Sequence, residues 1–237
     1  MRYPPLTPGF LIRRDNRFVA RVQLETGEIQ NAYVPSTGRL TGALKPGGRV
    51  WLARAQNPGR KTAYILLLTE LAQGGLCSVN AALANQLFVE ALENGRLAGF
   101  PFQHIEKEVT YGHSRLDFRL SAGENSCWVE VKSVSYVAEG VGMFPDAPTA
   151  RGQRQLEVLA ELVAKGYRAS VVFIAQRADA NSFSPHVAID PNFAETLRCV
   201  HQQGVAIHAY RCDVSLEKIE ITDEIMVDIE NNNENFS

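Results

Sequence analysis

The first third of the chain alternates apolar and polar residues, a period-two pattern that is typical of half-buried β-strands. Thr26-Gly27 and Pro46-Gly47-Gly48 supply turn signals between the alternating segments. The predicted strands cover residues 17–24, 28–34, 50–53 and 63–68. Several short strands joined by glycine-rich turns predict a small OB-like β-barrel, which we assign to residues 1–79.

After residue 80 the spacing of apolar residues switches between helical and strand periods. The predicted helices run from an Asn85 cap to Gly95, over residues 150–165, and from Asp190-Pro191 to Gly204. The predicted strands cover residues 105–111, 114–120, 127–134, 169–175 and 205–210. This order predicts an α/β (α+β) core around a mixed sheet for residues 80–227. The Asn-rich acidic segment 228–237 is predicted to be a disordered tail.

Two neighbouring strands of this core carry the candidate chemistry. The apolar face of the first is expected to hold Leu116, Phe118 and Leu120. Asp117 would then lie on the opposite, polar face. In the next strand Glu130 and Lys132 alternate with valines, so they also share one face. If the two strands pair as a hairpin, Asp117, Glu130 and Lys132 lie together.

These three residue types suit metal-dependent hydrolysis of a phosphodiester. Mg²⁺, for which Mn²⁺ can substitute, is held by one or two carboxylates together with water and phosphate oxygens, so Asp117 and Glu130 are candidate ligands. Lys132 would orient or deprotonate the attacking water, or stabilise the charge on the phosphoryl group. Glu90, at the edge of the apolar stripe of the first helix, is a candidate further ligand.

The alternative is a solvated hairpin face on which acids and bases pair with little energetic effect. Two features argue against it. The continuous apolar strand 169–175 predicts helices on both faces of the sheet. The step from Glu130 through a helix to Val171 also places the Glu130 strand inside the sheet. Carboxylates buried there need cations or hydrogen-bond donors.

Charge is distributed unevenly along the chain. Residues 1–80 carry eleven Lys and Arg against four Asp and Glu, whereas residues 213–237 carry one Lys against eight acids. A basic N-terminal part suits a polyanion partner, although an ordinary basic surface explains it as well. The candidate nucleic-acid contacts are Arg13, Arg14, Arg17, Arg60, Lys61, Arg115 and Arg151.

Two other pairs of charged residues remain open to two interpretations. Arg151 would bind substrate phosphate or pair with Asp146. Arg177 and Asp179 follow the strand 169–175, at a position where ligands gather in open α/β sheets, but a mutual salt bridge explains them equally well.

The residues also resemble a known family. Asp117 followed by Glu130-Val131-Lys132 resembles the D…(D/E)XK signature of restriction-endonuclease-like nucleases. The whole chain resembles the sugar fermentation stimulation protein A family. The segments that carry this resemblance include Leu11-Ile12-Arg13-Arg14, Pro35-Ser36-Thr37-Gly38, Asn57-Pro58, Ser114-Arg115-Leu116-Asp117-Phe118, Phe144-Pro145-Asp146-Ala147 and Ile189-Asp190-Pro191.

The resemblance implies an OB-like N-terminal domain, a nuclease-like C-terminal domain, DNA binding and a link to the regulation of sugar (maltose) metabolism. Gln155 stands where the family is expected to have histidine, which puts a histidine-dependent step in doubt. The first hypothesis is therefore a DNA-binding protein with a Mg²⁺-dependent phosphodiesterase site. The second is a DNA-binding regulator without catalysis. We expect a cytoplasmic protein without a membrane partner, and a homodimer is left open.

Overall fold

The computed structural model describes residues 1–56, 59, 61–97, 99–100 and 102–230. Arg60, one of the predicted nucleic-acid contacts, and Asn57-Pro58 lie outside the described residues. The same holds for residues 231–237 of the predicted tail. Residues 228–230 of that tail are packed onto the fold, because the Asp228 backbone N–H donates to the Phe183 carbonyl.

Six strands form the N-terminal part: β1 (Leu6–Asn16), β2 (Val19–Leu24), β3 (Ile29–Tyr33), β4 (Arg49–Arg54), β5 (Tyr64–Glu70) and β6 (Leu76–Ser78). Their order is β3-β2-β1-β4-β5-β6, and a parallel pairing of β3 with β5 closes the sheet on itself. The inward-facing apolar residues fill the interior of the barrel. The predicted OB-like barrel is thereby confirmed, although the sequence analysis did not predict β1 or β6.

In its described residues the C-terminal part has three helices, α1 (Leu83–Glu93), α2 (Ala150–Ala164) and α3 (Pro191–Gln202). Its main strands are β7 (His104–Tyr111), β8 (Ser114–Ala122), β9 (Asn125–Val134), β12 (Arg168–Ala175), β14 (Ala206–Val214) and β15 (Ile219–Glu224). They form one mixed sheet in the order β15-β14-β12-β9-β8-β7. As predicted, β9 lies inside this sheet, parallel to β12 and antiparallel to β8.

Both faces of this mixed sheet are covered by helices. One apolar cluster packs the sheet against α2 and α3, and a second packs the opposite face against α1. Four short strands form a separate small sheet: β10 (Tyr136–Ala138), β11 (Val141–Phe144), β13 (Ser182–Pro185) and β16 (Met226–Val227). This small sheet continues from the end of β9, so it lies next to the strand that carries Glu130 and Lys132.

The helix α1 begins earlier than predicted. Its first residue is Leu83, and its N-cap Ala82 makes no side-chain hydrogen bond. The assignment of Asn85 as the cap is therefore wrong, because the helical turn is already formed two residues before it. The Asn85 side chain is left to make a contact elsewhere. In contrast, Asp190 caps α3 as predicted, and its carboxylate accepts from the Phe193 N–H.

A buried arginine joins the barrel to the C-terminal part. Arg177 is fully buried and donates to both carboxylate oxygens of Asp179, at 2.5 and 2.6 Å. It also donates to the Ser135 carbonyl at 2.8 Å, and the barrel residue Gln73 donates to Asp179 at 2.6 Å. Of the two interpretations of Arg177 and Asp179, the salt bridge is the one observed. Within the described ranges, no helix has the length and apolar character needed to cross a membrane.

Candidate functional site

Asp117 lies where two strands lose their regular pairing. The β8–β9 ladder ends at the pair Phe118–Val129, and the β7–β8 ladder skips the pair Glu108–Asp117. Glu108 has a positive φ of 54°, a left-handed conformation that a non-glycine residue adopts only when its surroundings hold it there. The backbone irregularity thus opens a gap between β8 and β9 at Asp117.

This irregularity changes which way the neighbouring side chains point. Leu116 packs in the cluster beneath α2 and α3, whereas Phe118 and Leu120 pack in the cluster beneath α1. The prediction that these three share one face is therefore wrong for Leu116. Simple alternation fails here because the chain changes face between Leu116 and Phe118.

The Asp117 carboxylate fills the gap between the two strands. One oxygen accepts the Val131 backbone N–H at 2.8 Å, which replaces the missing ladder bond on that side of β9. The other accepts from the Asn85 side-chain amide of α1 at 2.8 Å. Asn85, misassigned as a helix cap, is thus a site residue that the sequence analysis missed. The two bonds hold Asp117 beside the strand of Glu130.

Glu130 and Lys132 form a direct ion pair on the α2 face of β9. Lys132 Nζ lies 2.5 Å from Glu130 Oε1 and also donates to Gln155 Oε1 at 2.8 Å. The side chains are buried, with 4% of Glu130 and 11% of Lys132 exposed. Gln155 is itself oriented by a donation from its amide nitrogen to the Arg115 carbonyl at 3.2 Å. Gln155 therefore fixes the Lys132 ammonium group in place.

The second oxygen of Glu130 is left unsatisfied. Glu130 Oε2 is buried and has no hydrogen-bond partner among the described residues. Burial is the main cause that raises the pKa of Glu130 to about 7. The Lys132 charge opposes this change and the Asp117 charge adds to it, so the two acids lie close enough to repel each other. A cation between the two carboxylates would relieve that repulsion.

Glu90 does not join the other acids. Its carboxylate lies 2.9 Å from the N-terminal amine of Met1, which also donates to the Ile219 carbonyl. Asn85 on the same helix faces Asp117, and five residues of helix turn Glu90 well away from that direction. The assignment of Glu90 as a further ligand is therefore wrong. In the described part of the chain, no three acidic, histidine or cysteine side chains form a complete metal-binding group.

The site opens into a cavity between the barrel and the C-terminal part. The cavity has a volume of about 810 Å³ and is lined on one side by the barrel segment 36–41 and on the other by residues 144–149. Val131, Lys132 and Ser133 of β9 also line it. A substrate group in this cavity would therefore reach Lys132 from the boundary of the two domains.

The three arginines predicted to form a nucleic-acid contact on the barrel, Arg13, Arg14 and Arg17, make different contacts. Arg13 is exposed and pairs with Asp15 at 2.7 Å. Arg14 is turned inward, because its guanidinium donates to the carbonyls of Gly38, Arg39 and Arg17. Arg17 is exposed and lines the cavity. Arg14 therefore holds the loop that forms the cavity wall, and its guanidinium is not free for phosphate.

The remaining predicted contacts are exposed at different distances from the site. Arg115 faces Glu108 at 3.5 Å, and Lys61 lies on the barrel surface. Arg151 is exposed in the first turn of α2, and its charge acts to lower the pKa of Glu130. Arg39, which the sequence analysis did not select, is exposed and lines the cavity. Its position in a loop gave no periodic signal.

Comparison with known proteins follows the same division of the chain. Residues 12–79 match the family described as the SfsA N-terminal OB domain. Residues 82–218 match the family described as the sugar fermentation stimulation protein RE domain. The two matches meet at the segment between β6 and α1.

Relatives with the same description are similar over nearly the whole chain. A sugar fermentation stimulation protein homolog of Geobacter metallireducens is 42% identical over 231 residues, which cover 96% of this chain and 99% of the relative. A homolog of Chloroflexus aurantiacus is 40% identical and covers 94% of this chain and 86% of its own. The solved structure of Pyrococcus furiosus SfsA in complex with Ca²⁺ superposes with a TM-score of 0.87 at 32% identity, covering 96% and 98% of the two chains. The chain therefore belongs to the sugar fermentation stimulation protein (SfsA) family.

Proposed function

We propose that this protein binds DNA and hydrolyses phosphodiester bonds with a divalent cation, Mg²⁺ or Mn²⁺, held by Asp117 and Glu130. The observation that carries the proposal is the buried, unpaired Oε2 of Glu130. A buried carboxylate oxygen without a donor is costly unless a cation or a proton occupies it. Asp117 supplies the second hard oxygen ligand that such a cation prefers.

The donor set fits a cation that keeps part of its water shell. No group of three possible ligands forms among the described residues, and the charge of Asp117 acts on Glu130. Mg²⁺ is commonly bound by one or two carboxylates with several waters and substrate oxygens. The related Pyrococcus furiosus protein has been solved in complex with Ca²⁺. That relative supports divalent-cation binding as a property to test in this chain.

The chain's own residues have distinct roles in this proposal. When bound, the cation stabilises charge on the phosphoryl oxygens and lowers the pKa of a coordinated water. Lys132 presents its ammonium group beside Glu130 and favours the negative charge that develops on the phosphoryl group. Gln155 and Glu130 hold that ammonium from two sides. The exposed Arg17 and Arg39 attract the DNA backbone to the cavity.

The direct test is cleavage of supercoiled plasmid and of single-stranded oligonucleotides with Mg²⁺ or Mn²⁺. The wild type should cut, and EDTA should abolish cutting. Lys132→Ala should reduce the rate at least about a hundredfold. The matched control is Lys107→Ala, which removes an exposed lysine of the same sheet and should leave the rate unchanged. Equal rates for the two variants would contradict the role of Lys132.

The second candidate is a DNA-binding regulator of sugar (maltose) metabolism that does not cut DNA. It is favoured by the absence of a third acid at the site in the described chain, since Glu90 pairs with Met1 instead. This regulator should give salt-sensitive gel shifts without cleavage of either substrate. Absence of any shift at low salt would contradict both candidates.

A further inference from the structure

The barrel wall of the cavity carries unpaired positive charge. Arg17 and Arg39 are exposed there, and no carboxylate of the described residues lies within ion-pair distance of either side chain. Arg13 and Arg49, elsewhere on the barrel, are paired with Asp15 and Glu25. The cavity wall therefore presents two exposed guanidinium groups that are available to phosphate groups.

An aromatic ring lies next to these charges. Phe18 is 42% exposed and lies in the turn between β1 and β2. The Arg17 guanidinium lies 6.0 Å from the centre of its ring. A neighbouring arginine and aromatic ring form the kind of platform on which an unpaired base stacks.

The depth of the catalytic residues restricts what can reach them. Lys132 and Glu130 are almost completely buried, and Lys132 lines the cavity of about 810 Å³. This volume is typical of pockets that enclose small molecules, about 300–1,000 Å³. Pairing and stacking hold each strand of a double helix against its partner, so a duplex must unpair locally before one strand can enter such a space. A single strand can enter because its backbone turns freely.

We infer that the cavity between the barrel and the C-terminal part binds an unpaired DNA strand, with its phosphates on Arg17 and Arg39 of the cavity wall and a base stacked on Phe18, which lies outside the cavity next to Arg17. This inference rests on the proposed function for the identity of the polymer and narrows its substrate to single-stranded DNA or unpaired ends. A duplex would be engaged only after a nucleotide has left the stack.

The test measures binding in EDTA, so that it does not depend on cleavage. Fluorescence anisotropy compares a labelled strand of about 12 nucleotides with the blunt duplex of the same sequence at one salt concentration. We expect the single strand to bind at least tenfold more tightly. Equal or tighter binding of the blunt duplex, or no binding of the single strand at low salt, would overturn the inference. Cleavage is scored separately, so a protein that binds single strands without cutting contradicts only the hydrolytic proposal.

Variants of the wall locate the binding site. Phe18→Ala should weaken single-strand binding at least about fivefold, the lower range for loss of one stacked base. Arg17→Ala and Arg39→Ala should each reduce the slope of log affinity against log salt by about 0.7. The matched control is Arg49→Ala, which removes an exposed barrel arginine that lies over Trp51 and pairs with Glu25. If the cavity variants change binding no more than Arg49→Ala, while thermal unfolding shows that all are folded, the site is wrong.

Discussion

Two ion pairs in the C-terminal part each contain a buried side chain, Arg177 in one and Glu130 in the other, and differ in how completely their hydrogen bonds are satisfied. Arg177 donates to both oxygens of Asp179 and to the Ser135 carbonyl, so its polar groups are engaged. Lys132 also pairs with an acid, yet Glu130 keeps one buried oxygen without a partner among the described residues. The first pair joins two domains, and the second lines a cavity.

The acids of the two pairs therefore differ in their pKa. Burial acts to raise the pKa of Asp179, but the hydrogen bonds and charge of Arg177 outweigh it and lower that pKa below its ordinary value. Burial instead dominates at Glu130, whose pKa rises to about 7. The first pair is satisfied within the fold, whereas the second leaves a buried carboxylate oxygen available to the cation that we propose.

The largest expected effect on stability comes from breaking the satisfied pair. Arg177→Met should lower the free energy of unfolding by about 3–5 kcal/mol, because Asp179 and the Ser135 carbonyl lose their buried donor. The measurement is urea unfolding followed by tryptophan fluorescence. The control Arg13→Met removes an arginine from an exposed pair and should cost less than about 1 kcal/mol. Similar losses of unfolding free energy in both variants would show that the Arg177–Asp179 pair stabilises the fold no more than an exposed ion pair does.

Glu130, in contrast to the Arg177–Asp179 pair, should lower the free energy of unfolding at high pH. Its pKa of about 7 in the folded state lies above its ordinary value, so its contribution to stability is present at pH 4.5 and is lost as the pH rises through about 7. Without metal, the free energy of unfolding should therefore decline more steeply between pH 5 and 8 in the wild type than in Glu130→Gln. The quantity to compare is the slope of the unfolding free energy against pH. The variant also loses the charged partner of Lys132, and that loss changes its unfolding free energy at all pH values. Parallel curves would contradict the raised pKa.

Gln155 is expected to affect cleavage more than stability. Gln155→Leu removes the acceptor that holds Lys132 and should reduce the cleavage rate about tenfold, as loss of a supporting contact often does. Gln153→Leu is the matched control, because Gln153 is on the same helix but donates to Asp190. That control should lower the unfolding temperature without changing the cleavage rate of the folded protein. A rate loss of equal size in both variants would assign Gln155 a purely structural role.

The smallest expected effect comes from the hydrogen bond that Gln73 of the barrel donates to Asp179. Gln73→Ala removes the donor from the barrel to Asp179, an exposed hydrogen bond worth about 1 kcal/mol or less. Cleavage and single-strand binding should stay at the wild-type level, which thermal unfolding and the same anisotropy assay measure. A large change in the cleavage rate would show that the contact between Gln73 and Asp179 is coupled to the candidate site.

Regular alternation was enough to place part of the candidate site from the sequence. Glu130 and Lys132 lie on one face of β9 because that strand keeps its pairing with β12 throughout. The central position of β9 followed from the helix between it and a continuous apolar strand. These features depend on local periodicity and on the rule that two parallel strands are joined by a crossover helix. Both can be recognised in the sequence.

The errors arose where distant contacts decide the conformation. Leu116 changes face because of the irregularity at Glu108 and Asp117, which no periodic pattern reports. Glu90 turned out to contact Met1, a residue 89 positions away along the chain. The strand β1 was not predicted, and it contains Pro8, a poor strand residue that nevertheless pairs in register with Trp51. Such cases require the tertiary structure.

The most direct test of the central claim is a crystal of this protein soaked in Mn²⁺ and measured at a wavelength where manganese scatters anomalously. We expect one anomalous peak within ligand distance, about 2.0–2.6 Å, of Glu130 Oε2 and of an Asp117 carboxylate oxygen. The Glu130→Gln crystal should lose that peak. A wild-type site that stays empty, with Glu130 Oε2 still unpaired, or a peak elsewhere in the cavity, would contradict the account.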